Sequence, residues 1–184
     1  MMTKLPVVWI TGLAGSGKTT LAKLLVGELR RRGLGVVHVD GDRVREVMGK
    51  DLGYDTRDRV ENAWRITRLC AYLQNEGVFV VCSTMSLYRE IWQFNRERLD
   101  PYLQVYLDVP MRVLAERDQK GLYSGASLGQ ASDVGGVDLP LELPLDSHLV
   151  LPNAERDELA RNLDALLGAL GRAPSGAGPE PRAR

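Results

Sequence analysis

Apolar residues cluster in five short runs along the chain, and amphipathic or polar segments separate one run from the next. The runs cover residues 7–10, 36–39, 78–82, 102–107 and 147–151. Short runs in which most successive positions are apolar are typical of strands buried on both faces of a parallel sheet. The pattern therefore predicts an α/β fold, with a five-stranded, mostly parallel, doubly wound sheet and helices on both faces.

Apolar positions recur at helical spacing in most of the intervening segments. Helices are predicted over residues 17–32, 43–48, 58–76, 88–98, 110–118 and 155–170. One segment, 120–144, lacks this period and is rich in glycine and proline. Because a loop of this length in a compact domain is usually functional, we expect a mobile lid at about 119–145. We expect a single domain over 1–170 and a disordered tail over 171–184, since the tail has little apolar surface to bury.

The turn after the first run carries the spacing G-x-x-x-x-G-K-T from Gly12 to Thr19. Its glycines allow backbone N–H groups to point at phosphate oxygens, and the next helix directs its positive end there. A glycine-rich turn before an ordinary helix is the alternative, but it does not account for the full spacing between strand and helix. The pattern predicts a P-loop NTPase of the nucleotide-kinase type. We expect its ATP contacts at Gly12, Gly15, Ser16, Gly17, Lys18, Thr19 and Thr20.

Composition limits the partners of the chain. The 184 residues include 24 basic and 24 acidic side chains, so no net field attracts the chain to nucleic acid or to a membrane surface. No stretch approaches the ~20 apolar residues of a membrane span, and the first residues lack a signal-peptide pattern. Cys70 and Cys82 have no metal-ligand or redox spacing. We therefore expect a cytoplasmic protein without nucleic-acid or membrane partners.

Two carboxylates, Asp40 and Asp42, follow the second predicted strand. The carboxyl ends of parallel strands meet at one edge of the sheet, so both residues are expected beside the P-loop, where Thr19 would ligate Mg²⁺. One carboxylate would act near the metal, together with Thr19, and the other would accept a proton from an attacking hydroxyl. The alternative is that one of them only caps the next helix, and the two roles are compatible.

A second polar group consists of Arg45, Arg59 and Asn62. Arg59 and Asn62 are three residues apart on a predicted helix and project from the same face. Guanidinium and amide groups suit the phosphate or sulfate of a second, anionic substrate. Charged neighbours leave the alternative of a solvated helix face equally open from spacing alone.

Other residues near the predicted mouth have less specific patterns. Ser86 follows the third strand, where it contacts a phosphate or caps the next helix. Trp64 and Trp92 are expected in the core. His38 is expected in the core or at a sheet edge rather than in catalysis, and His148 has no obvious partner.

Several segments, in this order, resemble the adenylyl-sulfate kinase family. They are GLAGSGKTT at 12–20, DGDRVR at 40–45, LGY at 52–54, DRVEN at 58–62, RDQKGLY at 117–123, GVD at 136–138 and ELP at 142–144. The resemblance runs from about Val7 to Leu170. It implies a P-loop kinase that uses ATP and Mg²⁺ to phosphorylate the 3′-hydroxyl of adenylyl sulfate, a small-molecule nucleotide. It also suggests a homodimer.

The resemblance assigns roles to matching residues. Asp42 would be the general base and Asp40 would assist near the metal, with Lys18 and Lys120 completing the catalytic set. Tyr54 stands where the family usually has a stacking phenylalanine, and Lys120 would begin the lid. The implied acceptor contacts are Arg45, Tyr54, Arg59, Asn62, Ser86, Lys120 and Leu122.

Three positions depart from the family pattern. Leu87 replaces the proline of a Ser-Pro-Tyr-Arg segment, Val134 replaces a lid phenylalanine, and Leu141 replaces a tyrosine. Loss of the lid aromatic removes a base-stacking contact worth ~1–3 kcal/mol by analogy with other base–aromatic stacks. The chain is also similar to a branch of the family that includes a cytidine diphosphoramidate kinase, so that acceptor is the alternative. A non-catalytic nucleotide-binding module is disfavoured, because a binder does not need the retained catalytic set.

Overall fold

The computed structural model describes residues 4–48, 51–118, 121–127, 134–137 and 141–172. It contains a five-stranded sheet in the order β2-β3-β1-β4-β5, in which every neighbouring pair is parallel. The strands are β1 Val7–Thr11, β2 Val36–Asp40, β3 Phe79–Ser83, β4 Tyr102–Asp108 and β5 Leu149–Pro152. The predicted fold class is confirmed.

Helices cover both faces of this sheet. They are α1 Lys18–Arg31, α2 Gly41–Val47, α3 Thr56–Asn75, α4 Arg89–Arg98, α5 Met111–Arg117, α6 Leu122–Ser127 and α7 Glu158–Arg172. Alternate β1 residues divide the core: Val8 and Ile10 pack in one cluster with residues of α1 and α7, and Val7 and Trp9 pack in another with residues of α3 and α4. The period-2 alternation of a strand is the reason that one apolar run supplies both cores.

Several element boundaries differ from the prediction. Helix α2 begins at Gly41 because Asp40 caps it, and α3 begins at Thr56 because Asp55 caps it. Strand β5 begins at Leu149 rather than 147, since Ser147 donates its backbone N–H and its hydroxyl to the carbonyl of Pro144 in a turn. Helix α7 begins at 158 rather than 155.

The segment predicted to be irregular includes a short helix, α6. The backbone N–H groups of Tyr123 and Ser124 donate to Oδ1 of Asp118 at 2.9 and 3.1 Å, so a carboxylate five residues upstream holds its first turn. The rest of the predicted lid is described only at 134–137 and 141–145. Residues 119–120 lie outside the described residues. The tail was predicted to begin at 171, but Gly171 and Arg172 belong to α7, and the tail from 173 onward lies outside the described residues.

Individual aromatic and histidine predictions have mixed outcomes. Trp92 is buried as expected, whereas Trp64 is only half-buried at the edge of its cluster. His38 lies on β2, the edge strand, as predicted. His148 does have a partner, because its Nδ1 accepts a hydrogen bond from the backbone N–H of Gln104 at 2.9 Å. No helix within the described ranges is long and apolar enough to span a membrane.

Candidate active site

The loop between β1 and α1 has the backbone geometry of a phosphate cradle. Gly12, Gly15 and Gly17 have φ values of 154°, 76° and 93°, which favour glycine. A Cβ on Gly12 would lie 2.9 Å from the carbonyl oxygen of Leu107, so β4 also requires a glycine there. Gly17 is the N-cap of α1, and no described side chain caps this helix end. The uncapped N–H groups, with Thr19 and Thr20 in the first turn, suit an anion.

Lys18 lies folded against this loop. Its Nζ donates to the carbonyl oxygen of Leu13 at 2.6 Å. Burial lowers the pKa of Lys18 from 10.5 to about 8, although Asp42 and Asp40 act in the opposite direction. The two carboxylates therefore lie within electrostatic range of the ammonium group, as the sequence grouping of these loops predicts. Bound phosphates would add negative charge beside Lys18 and raise its pKa.

We expect nucleotide binding to take up a proton at alkaline pH. At about pH 9 most Lys18 side chains are neutral in the free protein, and a bound triphosphate restores the charged form, so uptake approaches one proton per ATP analogue. At about pH 6.5 Lys18 is already charged and contributes no uptake. Calorimetric titration in two buffers of different ionisation enthalpy measures the protons. Equal uptake by a Lys18→Ala variant at the alkaline pH would contradict the assignment.

Asp40 uses both carboxylate oxygens within the fold. Oδ1 accepts the backbone N–H groups of Asp42 and Arg43 at 3.1 and 3.4 Å, which is the N-cap of α2. Oδ2 accepts the hydroxyls of Thr19 and Ser83 at 3.0 and 3.1 Å. Burial raises the pKa of Asp40, but these hydrogen bonds outweigh it and hold the pKa below its ordinary value. Capping and a contact with Thr19 therefore coexist in one carboxylate.

A histidine extends this hydrogen-bonded chain. His38 Nε2 lies 2.8 Å from the Ser83 hydroxyl oxygen. Because the Ser83 hydroxyl donates its single hydrogen to Asp40, His38 must donate to Ser83 and carries a hydrogen on Nε2. Burial lowers the pKa of His38; Asp40 opposes this, and Lys23, Arg43 and Arg30 add to it. The chain His38–Ser83–Asp40–Thr19 thus connects the sheet edge with the first turn of α1.

Asp42 is placed differently from Asp40. It lies in the first turn of α2 and is exposed, whereas Asp40 is half-buried. Arg45 follows three residues later on the same helix, so both side chains project from one face. Gly41 lets the start of α2 lie close to Thr84, because a Cβ on Gly41 would be 2.5 Å from the Thr84 hydroxyl oxygen. Helix α2 therefore presents a carboxylate and a guanidinium one turn apart.

The structure brings three predicted acceptor residues together. The guanidinium carbons of Arg45 and Arg59 lie 4.7 and 5.6 Å from the centroid of the Tyr54 ring, within cation–π range. Arg45 also donates to the carbonyls of Leu52 and Gly53. Tyr54 is 61% exposed, so its ring is accessible to a planar ligand. Asn62, on α3 one turn after Arg59, is buried.

Ser86 follows β3, as the sequence predicts, but its side chain is directed into the protein. Its side chain is fully buried, and its hydroxyl accepts a hydrogen bond from Trp9 Nε1 at 3.0 Å. Its backbone N–H donates to the Thr11 hydroxyl at 3.3 Å. The residue is also not a helix cap, since Tyr88 is the N-cap of α4. The hydroxyl oxygen and the backbone N–H of Ser86 are therefore hydrogen-bonded within the protein, and its contact with a phosphate stays a prediction.

Two residues that brace the P-loop received no role from the sequence. Arg117 donates to the carbonyls of Gly15, Asn153 and Ala154 at 3.1, 2.7 and 2.8 Å. Asn153 Nδ2 donates to the carbonyl of Ser16 at 2.7 Å. Arg117 lies in the RDQKGLY segment at the end of α5, where the local pattern does not indicate this contact. Asn153 follows β5 directly, so its position at the carboxyl end of a strand was the available signal.

Val134, in the described part of the lid, packs inward. Val134 is 4% exposed and lies in a cluster with Leu114 and Tyr123, and Tyr123 donates its hydroxyl to the carbonyl of Ala14 at 2.9 Å. Leu122, the predicted acceptor contact beside it, is half-buried at the start of α6. Lys120 lies outside the described residues.

Two departures from the family pattern occupy one cluster. Leu141 and Leu87 both pack with Trp92 and Tyr106. The next residue, Glu142, accepts hydrogen bonds from the backbone N–H and the Nε of Arg89. The end of the lid segment is therefore docked on the segment after β3, where the two leucines form an apolar contact.

The described residues hold no group of three or more His, Cys, Asp or Glu side chains arranged as a metal site. Thr19 and Asp40 nevertheless offer oxygen donors beside the phosphate cradle. Mg²⁺ in kinase sites is commonly held by one or two protein oxygens together with substrate phosphates and water. The donor set therefore fits Mg²⁺ bound together with ATP.

Comparison with known proteins gives consistent relatives. The sequence model of the adenylylsulphate kinase family matches residues 4–152. An adenylyl-sulfate kinase from Chloroflexus aurantiacus is 41% identical, covering 90% of this chain and 89% of the relative. A cytidine diphosphoramidate kinase from Campylobacter jejuni is 34% identical, covering 89% of this chain and 95% of the relative.

A solved structure extends the comparison to the fold. The Mycobacterium tuberculosis APS kinase CysC, in complex with AMPPNP and APS, has a TM-score of 0.85 and 28% sequence identity, covering 92% of this chain and 99% of that chain. The likeness of the two folds, the phosphate cradle of this chain and the match to the family model all lead to the same assignment. The chain belongs to the adenylyl-sulfate kinase family and is a P-loop phosphotransferase.

Proposed function

We propose that this kinase transfers the γ-phosphoryl group of ATP to the 3′-hydroxyl of adenylyl sulfate. The observation that carries the proposal is the arrangement of α2: its N-cap, Asp40, accepts a hydrogen bond from Thr19 of the P-loop, and Asp42 and Arg45 project from one face of the helix. One short helix thus joins the phosphate cradle to the acceptor cluster. Phosphoryl transfer depends mainly on such positioning and on charge stabilisation.

Each carboxylate has a separate task in this proposal. Asp40 orients the Thr19 hydroxyl, and the two residues would hold the Mg²⁺ that accompanies ATP. Mg²⁺ would neutralise charge on the phosphates of ATP. Asp42 accepts the proton of the acceptor hydroxyl, since Asp40 already receives four hydrogen bonds from the protein. Lys18 leaves the carbonyl of Leu13 and contacts the phosphates.

The acceptor binds at the cluster of Arg45, Tyr54 and Arg59. Tyr54 stacks on the base, and the guanidinium groups pair with the anionic end of the nucleotide. The short spacing between Asp42 and Arg45 on α2 supports a proton acceptor beside this cluster. Lys120 and Leu122 from the lid and Asn62 from α3 complete the proposed acceptor contacts.

A second acceptor, a cytidine diphosphoramidate, is favoured by one observation. Val134 stands in place of a lid aromatic, and its side chain is buried against Leu114 and Tyr123 rather than available for stacking. The base of the acceptor would then stack on Tyr54 alone, because position 134 offers no second aromatic ring. A pyrimidine has less ring surface to cover than adenine. The relative from Campylobacter jejuni is named a cytidine diphosphoramidate kinase.

We expect Tyr54→Ala to raise the KM for the acceptor about 5- to 150-fold, the range that corresponds to ~1–3 kcal/mol for one base stack. The KM for ATP should change less than about twofold, because Tyr54 lies outside the P-loop. Steady-state kinetics with each substrate varied in turn measures both values. Tyr72→Ala is the matched control, since Tyr72 is also 61% exposed and lies on α3. Equal effects of the two substitutions on the acceptor KM would contradict the proposed site.

A further inference from the structure

A cavity lies outside the site described above, at the open edge of the sheet between α1, β2 and α2. Its volume is about 390 Å³. The residues that line it are Lys23, Val26, Gly27, Arg30, Val37, His38 and Arg43. The proposed phosphotransfer assigns no role to any of them. The cavity is large enough for a small metabolite rather than for water alone.

The charge of this cavity is one-sided. Lys23, Arg30 and Arg43 are basic, and none of the described lining residues is acidic. The chain as a whole is neutral, so the basic character is local. Arg30 is held at the edge strand, because it donates to the carbonyl of Val36 at 3.2 Å. All three cations lie within electrostatic range of His38. Clustered cations of this kind attract phosphate or sulfate groups.

The shape of the cavity depends on a glycine inside α1. Positions 23, 26, 27 and 30 share one helix face, and a Cβ on Gly27 would meet no other atom within 4 Å. Glycine in a helix interior lowers helix stability by roughly 1 kcal/mol relative to alanine. The open space at position 27 is therefore kept at a cost in the stability of α1. Val26 and the 38%-exposed Val37 supply apolar surface beside the cations. The walls therefore suit an anion with a small apolar body.

We propose that this cavity binds a small phosphate- or sulfate-bearing anion, and that its occupancy is transmitted to Asp40 and Thr19. Two of the lining residues are connected to the Asp40 carboxylate by hydrogen bonds. His38 Nε2 lies 2.8 Å from the Ser83 hydroxyl, which donates to Asp40 at 3.1 Å. The backbone N–H of Arg43 donates to Asp40 at 3.4 Å, while its side chain lines the cavity.

The coupling affects the binding of Mg·ATP. An anion that fixes His38 and Arg43 restrains the Asp40 carboxylate from two directions. Asp40 in turn orients Thr19. We therefore expect occupancy to lower the KM for Mg·ATP about fivefold, within the range typical of coupling between two sites. Binding itself does not depend on phosphotransfer, so failure of this proposal is distinguishable from failure of the proposed reaction.

The binding test uses inorganic phosphate and sulfate as probes on the full chain with Mg·AMPPNP added to fill the P-loop. In a ¹⁵N-correlated NMR titration we expect saturable shifts of the amides at 27, 37 and 43 for at least one probe. A response to phosphate alone assigns a phosphate ester, and a response to sulfate alone assigns a sulfate ester. Absence of saturable shifts with both probes overturns the proposal.

The matched variants are Gly27→Leu and Gly171→Leu. Both glycines are helical and have open space at the Cβ position, but Gly171 lies on α7, away from the cavity. Gly27→Leu should weaken binding at least tenfold with basal turnover unchanged, and Gly171→Leu should bind normally. Should Gly27→Leu not fold, Lys23→Gln is the second variant and should also weaken binding. Normal binding by the folded cavity variant overturns the proposal.

The coupling test uses Ser83→Ala, which interrupts the chain from His38 to Asp40 without changing a lining residue. We expect the NMR shifts on probe binding to persist and the probe-dependent change in the KM for Mg·ATP to disappear. A KM change of wild-type size in Ser83→Ala would contradict transmission through Ser83.

Discussion

Replacement of Asp42 by asparagine is expected to lower kcat about 10²- to 10⁴-fold, the usual contribution of a general base. The substitution keeps the shape of the side chain but removes its negative charge and its ability to take a full proton. Asp40 cannot substitute for it, because its two oxygens already accept four hydrogen bonds from described groups. The KM for ATP should remain within about threefold, since Asp42 is assigned to the acceptor hydroxyl. Steady-state kinetics with saturating Mg·ATP measures the effect.

Glu46→Gln is the control for Asp42→Asn. Glu46 lies one turn further along α2 and is exposed, so its neutralisation changes the charge of the same helix without touching the proposed reaction centre. Its kcat should equal that of the wild type. If Asp42→Asn retained more than about a tenth of wild-type kcat, the general-base assignment would be wrong.

Replacement of Lys18 by alanine should lower kcat/KM for ATP about 10²- to 10³-fold, as expected for loss of one preorganised charge-stabilising group. In the structure Lys18 contacts the carbonyl of Leu13 and lies within electrostatic range of Asp40 and Asp42. Binding of a fluorescent ATP analogue, measured beside turnover, separates lost affinity from lost chemistry.

Arg31→Ala is the control for Lys18→Ala. Arg31 lies in the last turn of the same helix, where it is exposed and pairs with Glu28. Its removal takes one positive charge from α1 at the end away from the P-loop. Turnover should be unchanged. Normal ATP turnover by Lys18→Ala, with Arg31→Ala also normal, would be inconsistent with the P-loop account.

The sheet and the phosphate cradle could be predicted because local pattern determines them. Apolar runs specify buried strands, and the glycine spacing specifies the loop between β1 and α1. The convergence of Asp40, Asp42 and Thr19 followed from one topological rule, that the carboxyl ends of parallel strands meet at one edge. Neither argument required knowledge of long-range packing.

The contacts that the sequence did not reveal depend on pairs far apart in the chain. The burial of Ser86 follows from its hydrogen bond with Trp9, 77 residues away. Arg117 braces carbonyls at Gly15 and Asn153, and nothing in the local pattern of α5 indicates that direction. The chain from His38 to Asp40 likewise depends on Ser83 of the neighbouring strand. Such contacts are set by strand register and helix packing.

The most direct test of the central proposal is coupled ATP turnover with Mg²⁺, comparing adenylyl sulfate with a cytidine 5′-diphosphoramidate as acceptor. The proposal predicts acceptor-dependent transfer, with kcat/KM for adenylyl sulfate above that for the cytidine compound. A preference for the cytidine compound would overturn adenylyl sulfate as the acceptor and favour the account based on Val134. Turnover of ATP that does not depend on either nucleotide would contradict phosphotransfer to such an acceptor.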